Sequence, residues 1–281
     1  MATSQKKKAE ENLPAKTSEG SLPAYLANYK GATGTESIDN ADVALPRLKL
    51  GQSMSKEVKA GDVEEGAIFL NITGQTLAGP QETLEIVPLA QSKEFILWRP
   101  RQDNGGGILA RARPVQTDQG VMYQWDKQNQ SFEVKVMGKT KATWSTKRFI
   151  EEDGLGEWGS EIPGDKESKI AATAHYNYVV YLPKYEMVAA LSFANTAAKK
   201  ARDFNAMLKM STVPMFARKF TVQSVDDHAG GNEFKNFLIK PSGFVQEEAL
   251  FEHCKGLFEG FRGRAVNVDH SDGPEETDER Q

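Results

Sequence analysis

The chain has 281 residues, of which 39% are hydrophobic and 26% are charged, so it can bury a core the size of one large domain or two modest ones. Its single cysteine, Cys254, excludes an internal disulfide and a cysteine-rich zinc site. No apolar run reaches the roughly 18 residues of a membrane helix, and no hydrophobic signal region follows the first residues, so we expect a soluble, cytoplasmic protein that contacts no membrane.

Residues 1–45 are rich in Lys, Glu, Ser, Thr and Gly, with scattered apolar residues, which predicts a flexible N-terminal arm. From 46 to 245, short β-like runs alternate with turn residues, which predicts a β-rich domain. The predicted strands are 45–50, 67–73, 84–89, 94–98, 108–113, 121–125, 132–136, 176–182, 187–193, 215–225, 234–240 and 243–245. Their spacing favours an antiparallel meander, a sandwich or a small barrel over a βαβ fold.

Two helices are predicted. The first covers 197–208 and is capped by Asn195 or Thr196. Its apolar face consists of Ala197, Ala201, Phe204 and Leu208. The second lies within 246–262 and is followed by an acidic disordered tail over 263–281.

The net charge of −4 originates in that tail. Residues 269–281 hold six acids and one base, a net of −5, so residues 1–268 carry +1. Between residues 135 and 219 there are fourteen bases and nine acids, and seven of these acids fall within 151–167. We therefore expect a basic middle and a separate acidic tail, which could occupy a basic groove when no polyanion is bound, recruit partners or only solubilise the chain.

Catalytic motifs are scarce. The four histidines are scattered, and no zinc-protease or nucleophile-elbow motif is present. Asp226, Asp227 and His228 could form a weak metal patch, but two glycines follow them and favour a solvated hairpin loop. The glycine run 105–107 lacks the Lys-Ser/Thr of a phosphate-binding loop. We predict that the protein is not an enzyme and holds no cofactor and no metal.

Basic and aromatic residues recur together on the β-like segments. Single-stranded nucleic acid requires both, because cations contact phosphates and each stacked base contributes roughly 1–3 kcal/mol on an aromatic ring. Aromatic residues also fill strand cores, so at least half of them should be buried. The candidate phosphate contacts are Arg99, Arg101, Lys184, Lys199, Lys200, Arg202, Arg218 and Lys219. The candidate base-stacking residues are Trp98, Tyr178, Tyr181, Phe216 and Phe220.

Six groups of short motifs follow one another between residues 46 and about 245. They are Pro46-Arg-Leu-Lys-Leu-Gly-Gln52, Gly61-Asp62 with Ile72-Thr-Gly74, Leu84-Glu-Ile-Val-Pro88, Trp98-Arg-Pro-Arg101, Tyr176-Asn-Tyr-Val-Val-Tyr-Leu-Pro183 and Ser192-Phe-Ala-Asn-Thr-Ala-Ala-Lys-Lys200. In this order they resemble the single-stranded DNA-binding proteins of tailed bacteriophages. The resemblance implies an OB-like antiparallel β-barrel core with one or two helices, in a mainly β (α+β) fold.

The same resemblance implies that the protein coats single-stranded DNA during phage DNA replication or recombination, and that the acidic tail contacts replication proteins. Two departures stand out. Some relatives have cysteines before the strand that begins at Tyr176, whereas this chain has Glu157-Trp-Gly159, so no metal is carried over. The tail ends Glu279-Arg280-Gln281 rather than in an aromatic residue, which puts partner docking in doubt.

Two alternatives share these features. The β domain could be a structural or interaction protein of a phage assembly that associates with copies of itself, in which case it needs an exposed apolar patch rather than a basic groove. It could also be a recombination mediator that anneals complementary strands through the same basic surface.

Overall fold

The computed structural model describes residues 45–98, 108–113, 121–126, 131–136, 144–145, 154–160, 164–229, 231–262 and 268. The chain divides into two units, residues 1–43 and 44–281, and all of the described residues belong to the second. Most of the predicted N-terminal arm and the tail beyond residue 268 lie outside the described residues.

Strands dominate this part of the chain. They are β1 (Arg47–Leu50), β2 (Ile68–Leu70), β3 (Thr76–Ala78), β4 (Thr83–Trp98), β5 (Ile108–Arg113), β6 (Val121–Asp126), β7 (Ser131–Val136), β8 (Trp144–Ser145), β9 (Ala172–Leu182), β10 (Met187–Ala194), β11 (Arg218–Ala229) and β12 (Asn232–Phe244). The helices are α1 (Lys56–Ala60), α2 (Ala198–Lys209) and α3 (Glu248–Phe261). Short 3₁₀ turns cover Pro183–Tyr185, Asn195–Ala197 and Met215–Ala217. In the described residues, no helix is both long enough and apolar enough to span a bilayer.

The main sheet follows the order β12-β11-β4-β9-β10-β1-β2-β3 and curls into a half-barrel. β5 pairs with the far end of β4, β8 pairs with β5, and β6 and β7 form a separate hairpin. The predicted mainly β fold is confirmed. One detail of the eight-strand path differs from an all-antiparallel barrel, because β1 runs parallel to β10. These two strands lie far apart in sequence, so no local turn signal could reveal their pairing.

Two long strands had been predicted as pairs of shorter ones. β4 continues through Pro88, where the register shifts between Pro88 and Ala90. β12 continues through Pro241, which pairs with Phe220 beside a second register shift. Proline and a register irregularity often occur together within sheets, because a bulge removes the need for a ladder hydrogen bond at that position.

The inner face of the half-barrel holds the larger core. It unites side chains from both ends of the strand order, such as Leu77 of β3 and Ile239 of β12, which identifies it as the concave face. α2 packs on this face through Ala201 and Phe204, both fully buried. The predicted apolar face of this helix is therefore confirmed.

The start of α2 differs from the prediction. Its N-cap is Ala197, and no side chain caps the helix. Asn195 instead begins a 3₁₀ turn with a left-handed φ of 49°. The prediction of Asn195 or Thr196 as the cap was therefore wrong, because the 3₁₀ turn displaces the first helical residue.

α3 packs on the outer face of the sheet. The second core lies between them and contains Val87, Val179 and Cys254. Leu45 packs against this core and forms a parallel bridge with Val268, which is 2% exposed. The chain is thus held against the body at residue 268, within the segment predicted as tail.

Candidate nucleic-acid interface

Four of the five aromatic residues predicted to stack bases are core residues. Tyr178 and Phe220 are fully buried on the inner face, and Tyr181 and Phe216 are 7% exposed on the outer face beneath α3. The inner face of the sheet is covered by α2 and the outer face by α3. An aromatic residue is therefore buried on whichever face of these strands it lies. These four rings are corrected from stacking candidates to core residues.

The contacts of these rings show what they do instead. Tyr178 donates a hydrogen bond from its hydroxyl to the main-chain oxygen of Ala201 at 3.0 Å, and its oxygen lies 2.7 Å from Oδ1 of Asn205. Burial raises the pKa of Tyr178, so the phenol stays neutral. The ring of Phe216 lies 4.9 Å from that of Phe258 in α3.

Two of the predicted phosphate contacts are neutralised by acids. The Lys200 ammonium lies 3.6 Å from the carboxylate of Asp227, and the Lys219 ammonium lies 3.0 Å from that of Glu85. A cation that already has a carboxylate partner contributes little net attraction to a phosphate. Lys184 is exposed in the turn after β9, where its ammonium lies 5.2 Å from the centre of the Tyr185 ring.

Asp227 and its neighbours form an ordinary polar surface. A hydrogen bond from Asn236, supported by Lys200, lowers the pKa of Asp227. Asp226 is paired with Lys235 at 2.5 Å. Among the described residues, no three His, Cys, Asp or Glu side chains are grouped so that they could hold a metal ion.

The remaining cations of this region lie on the outer side of α2. Lys199, Arg202 and Lys209 are all exposed, and none has an ion pair in the part of the chain that the structure describes. At about 100° per residue they fall within an arc of about 80°, and they extend over a rise of about 15 Å. Asp203 is the acid nearest to this arc, at about 40° from Lys199. We call these three cations the α2 ridge.

Arg218 connects the C-terminal end of α2 to the sheet. Its Nη1 donates to the main-chain oxygen of Met207 at 2.5 Å, and its guanidinium carbon lies 4.9 Å from the centre of the Phe220 ring. This hydrogen bond satisfies one of the last carbonyls of the helix. Arg218 therefore has a structural role, and it has no carboxylate partner within the described residues.

Phe244, the last residue of β12, pairs with Arg218 and is 53% exposed. Opposing residues of an antiparallel pair share one face, so Phe244 stands on the same side as Arg218 and the end of α2. We call Arg218 and Phe244 the Phe244 corner. Neither Phe244 nor Lys209 was among the predicted site residues, since exposure at a strand end cannot be read from alternation.

Three further predicted residues cannot be placed. The side chain of Trp98, and Arg99 and Arg101 entirely, lie outside the described residues. The structure thus gathers Lys199 and Arg202 on one surface and places Arg218 at its end, whereas Lys184 and Lys219 lie on other elements.

A family model described as Pam3 phage gp34-like protein matches residues 15–267. The chain belongs to this family. The match confirms the expected bacteriophage origin, and it includes the whole of the α2 ridge and the Phe244 corner. Comparison with curated proteins gave no match, and neither did comparison with solved structures.

Proposed function

We propose that this phage gp34-like protein binds single-stranded DNA, and that the α2 ridge provides its main electrostatic contact. The observation that supports the proposal most directly is the ridge itself, in which three exposed cations on one helix face lack acidic partners among the described residues. The resemblance of the motif order to that of phage single-stranded DNA-binding proteins also supports the proposal. The role is binding without a catalytic step.

A row of exposed lysines and arginines is often only a solvated helix face. Two features make this one different. Nearby bases such as Lys200 and Lys219 are held by carboxylates, whereas no ridge cation forms an ion pair with a described residue. The ridge also ends near an exposed aromatic ring, that of Phe244, and cations beside an aromatic ring are the combination that single strands use.

The α2 helix is well suited to present such a row. Its opposite side is anchored in the inner core by Ala201 and Phe204, and its last turn is held by Arg218. The backbone beneath the three cations is therefore fixed, so only side-chain freedom is lost when a phosphate binds.

The test is fluorescence anisotropy of the full chain with a labelled oligo-dT at about 50 mM salt, where phosphate contacts are strong. The ridge variant K199A/R202A/K209A should bind more weakly than the wild type. The matched control is K56A/K59A/K255A, which removes the same charge from α1, where Lys56 and Lys59 are exposed, and from α3, where Lys255 is half-buried. It should bind like the wild type, and both variants should keep the wild-type melting temperature.

Three results would overturn the proposal: no association of the wild-type chain, equal losses in both variants, or tighter binding to duplex than to the single strand. Self-association insensitive to salt, together with an absence of oligonucleotide binding, would instead favour a structural protein of a phage assembly. If binding is found, a strand-annealing assay with two complementary oligonucleotides separates coating from recombination mediation.

A further inference from the structure

We infer that Phe244 is a residue on which a base of the bound strand stacks, an inference that rests on the proposed function. Among the residues whose side chains the structure describes, Phe244 and Trp158 are the two aromatic residues that are mostly exposed, at 53% and 67%. The other described Phe and Tyr side chains are buried or half-buried. Of the two exposed rings, only Phe244 stands beside a cation of the proposed site.

The backbone on both sides of Phe244 is fixed. Phe244 pairs with Arg218, and the next residue, Val245, donates a main-chain hydrogen bond to Ala217 at 3.0 Å. Gly243 precedes it with φ at +111°, a conformation that side chains of L-residues rarely adopt. The glycine allows the chain to turn here, so the ring is exposed by a defined backbone geometry rather than at a frayed end.

The electrostatics around the ring favour a nucleotide. Arg218 stands opposite Phe244, where Cβ atoms of paired residues are about 5 Å apart. Its guanidinium is held by Met207 and Phe220, and no carboxylate within the described residues pairs with it. Lys209 follows Met207 by two residues and ends the α2 ridge. A base on Phe244 would thus leave its phosphates beside Arg218 and the ridge.

The geometry divides the labour between the two parts of the site. The α2 ridge contacts phosphates, so its contribution to affinity depends on the salt concentration. The ring of Phe244 contributes only when a base is present to stack on it. A stacked base has a π-face whatever its identity, so this contact tolerates any sequence. The surface therefore fits a single strand with accessible bases better than a duplex, whose bases are stacked on one another.

The experiment compares F244A, F244Y and W158A in the full chain. Each is titrated with oligo-dT and with an abasic oligonucleotide of the same length. F244A should lose roughly 5- to 150-fold in affinity for oligo-dT, the range for one stacked base, and little for the abasic strand. F244Y should restore binding because it keeps the ring, and W158A, the matched control, should match the wild type with both ligands.

Failure of this inference can be told from failure of the proposed function. If the wild type binds oligo-dT, the ridge variant binds more weakly, and F244A keeps the wild-type ratio of oligo-dT to abasic affinity, only the stacking inference is overturned. If F244A loses both ligands equally, the ring supports Arg218 rather than a base, which also overturns it. A change in oligomeric state with an unchanged ratio would assign the ring to a contact between copies of the chain.

Discussion

Removing the hydroxyl of Tyr178 tests whether this residue belongs to the core or to the ligand site. In Y178F the ring remains packed between Phe193 and Phe204, so only the two polar contacts are lost. The oxygen of Ala201 still accepts its helical hydrogen bond, and half-buried Asn205 can reach water, so neither group is stranded. The loss should therefore be near the net value of one neutral hydrogen bond, about 1 kcal/mol.

For a unit of this size, that loss corresponds to a decrease in melting temperature of about 2–4 °C, which differential scanning calorimetry resolves. The matched control is Y176F, on the same strand, because the Tyr176 hydroxyl has no hydrogen bond within the described residues. The free energy of unfolding of Y176F should stay within about 0.5 kcal/mol of the wild-type value. Affinity for oligo-dT should be unchanged in both variants. A wild-type melting temperature for Y178F combined with weaker binding would show that Tyr178 contacts the ligand.

Three further outcomes follow from charge and from the sheet edge. In the ridge variant, the slope of log affinity against log salt should be shallower by about 2, since each phosphate contact to a single strand contributes about 0.7. An unchanged slope would mean that the ridge does not contact phosphate. Deleting residues 269–281, which carry a net −5, should tighten oligo-dT binding at low salt, and unchanged or weaker binding in anisotropy would contradict competition by the tail. Gln52 covers the edge strand β12 by bonding the main-chain oxygen and nitrogen of Lys235 at 2.7 and 2.8 Å. Q52A should lower stability by about 1–2 kcal/mol and promote edge-to-edge association, visible by calorimetry and light scattering. A monomeric variant of wild-type stability would refute this role for Gln52.

Local patterns predicted most of the elements but not their connections. Residues of α2 such as Ala201 and Phe204 repeat at helical spacing, and the helix lies within one residue of its predicted bounds. The strands at 108–113, 121–126 and 131–136 also match closely. By contrast, α1 and the three-residue strand β3 escaped prediction, because elements this short carry too few residues to show a period.

The sequence predicted charged residues of the candidate site but not its exposed aromatic residue. Lys199 and Arg202 could be found because the helical period places them opposite Ala201 and Phe204. The aromatic set failed because alternation says which residues share a face, not whether a helix covers that face. Tyr181 and Phe216 illustrate this, since α3 buries them from far along the chain. Phe244 was missed because the alternation of residues does not show that the last residue of β12 is left exposed.

Charge pairing within the structure explains how a nearly neutral body could bind a polyanion. Residues 1–268 carry a net +1, which alone predicts almost no attraction. In the described part, however, Lys200, Lys219 and Lys235 are each held near carboxylates, so their charges are cancelled locally. The bases left over are not spread evenly, because three of them share one face of α2. Since screening limits electrostatic attraction to about 10 Å at ordinary salt, a bound strand would respond to this local excess rather than to the net charge.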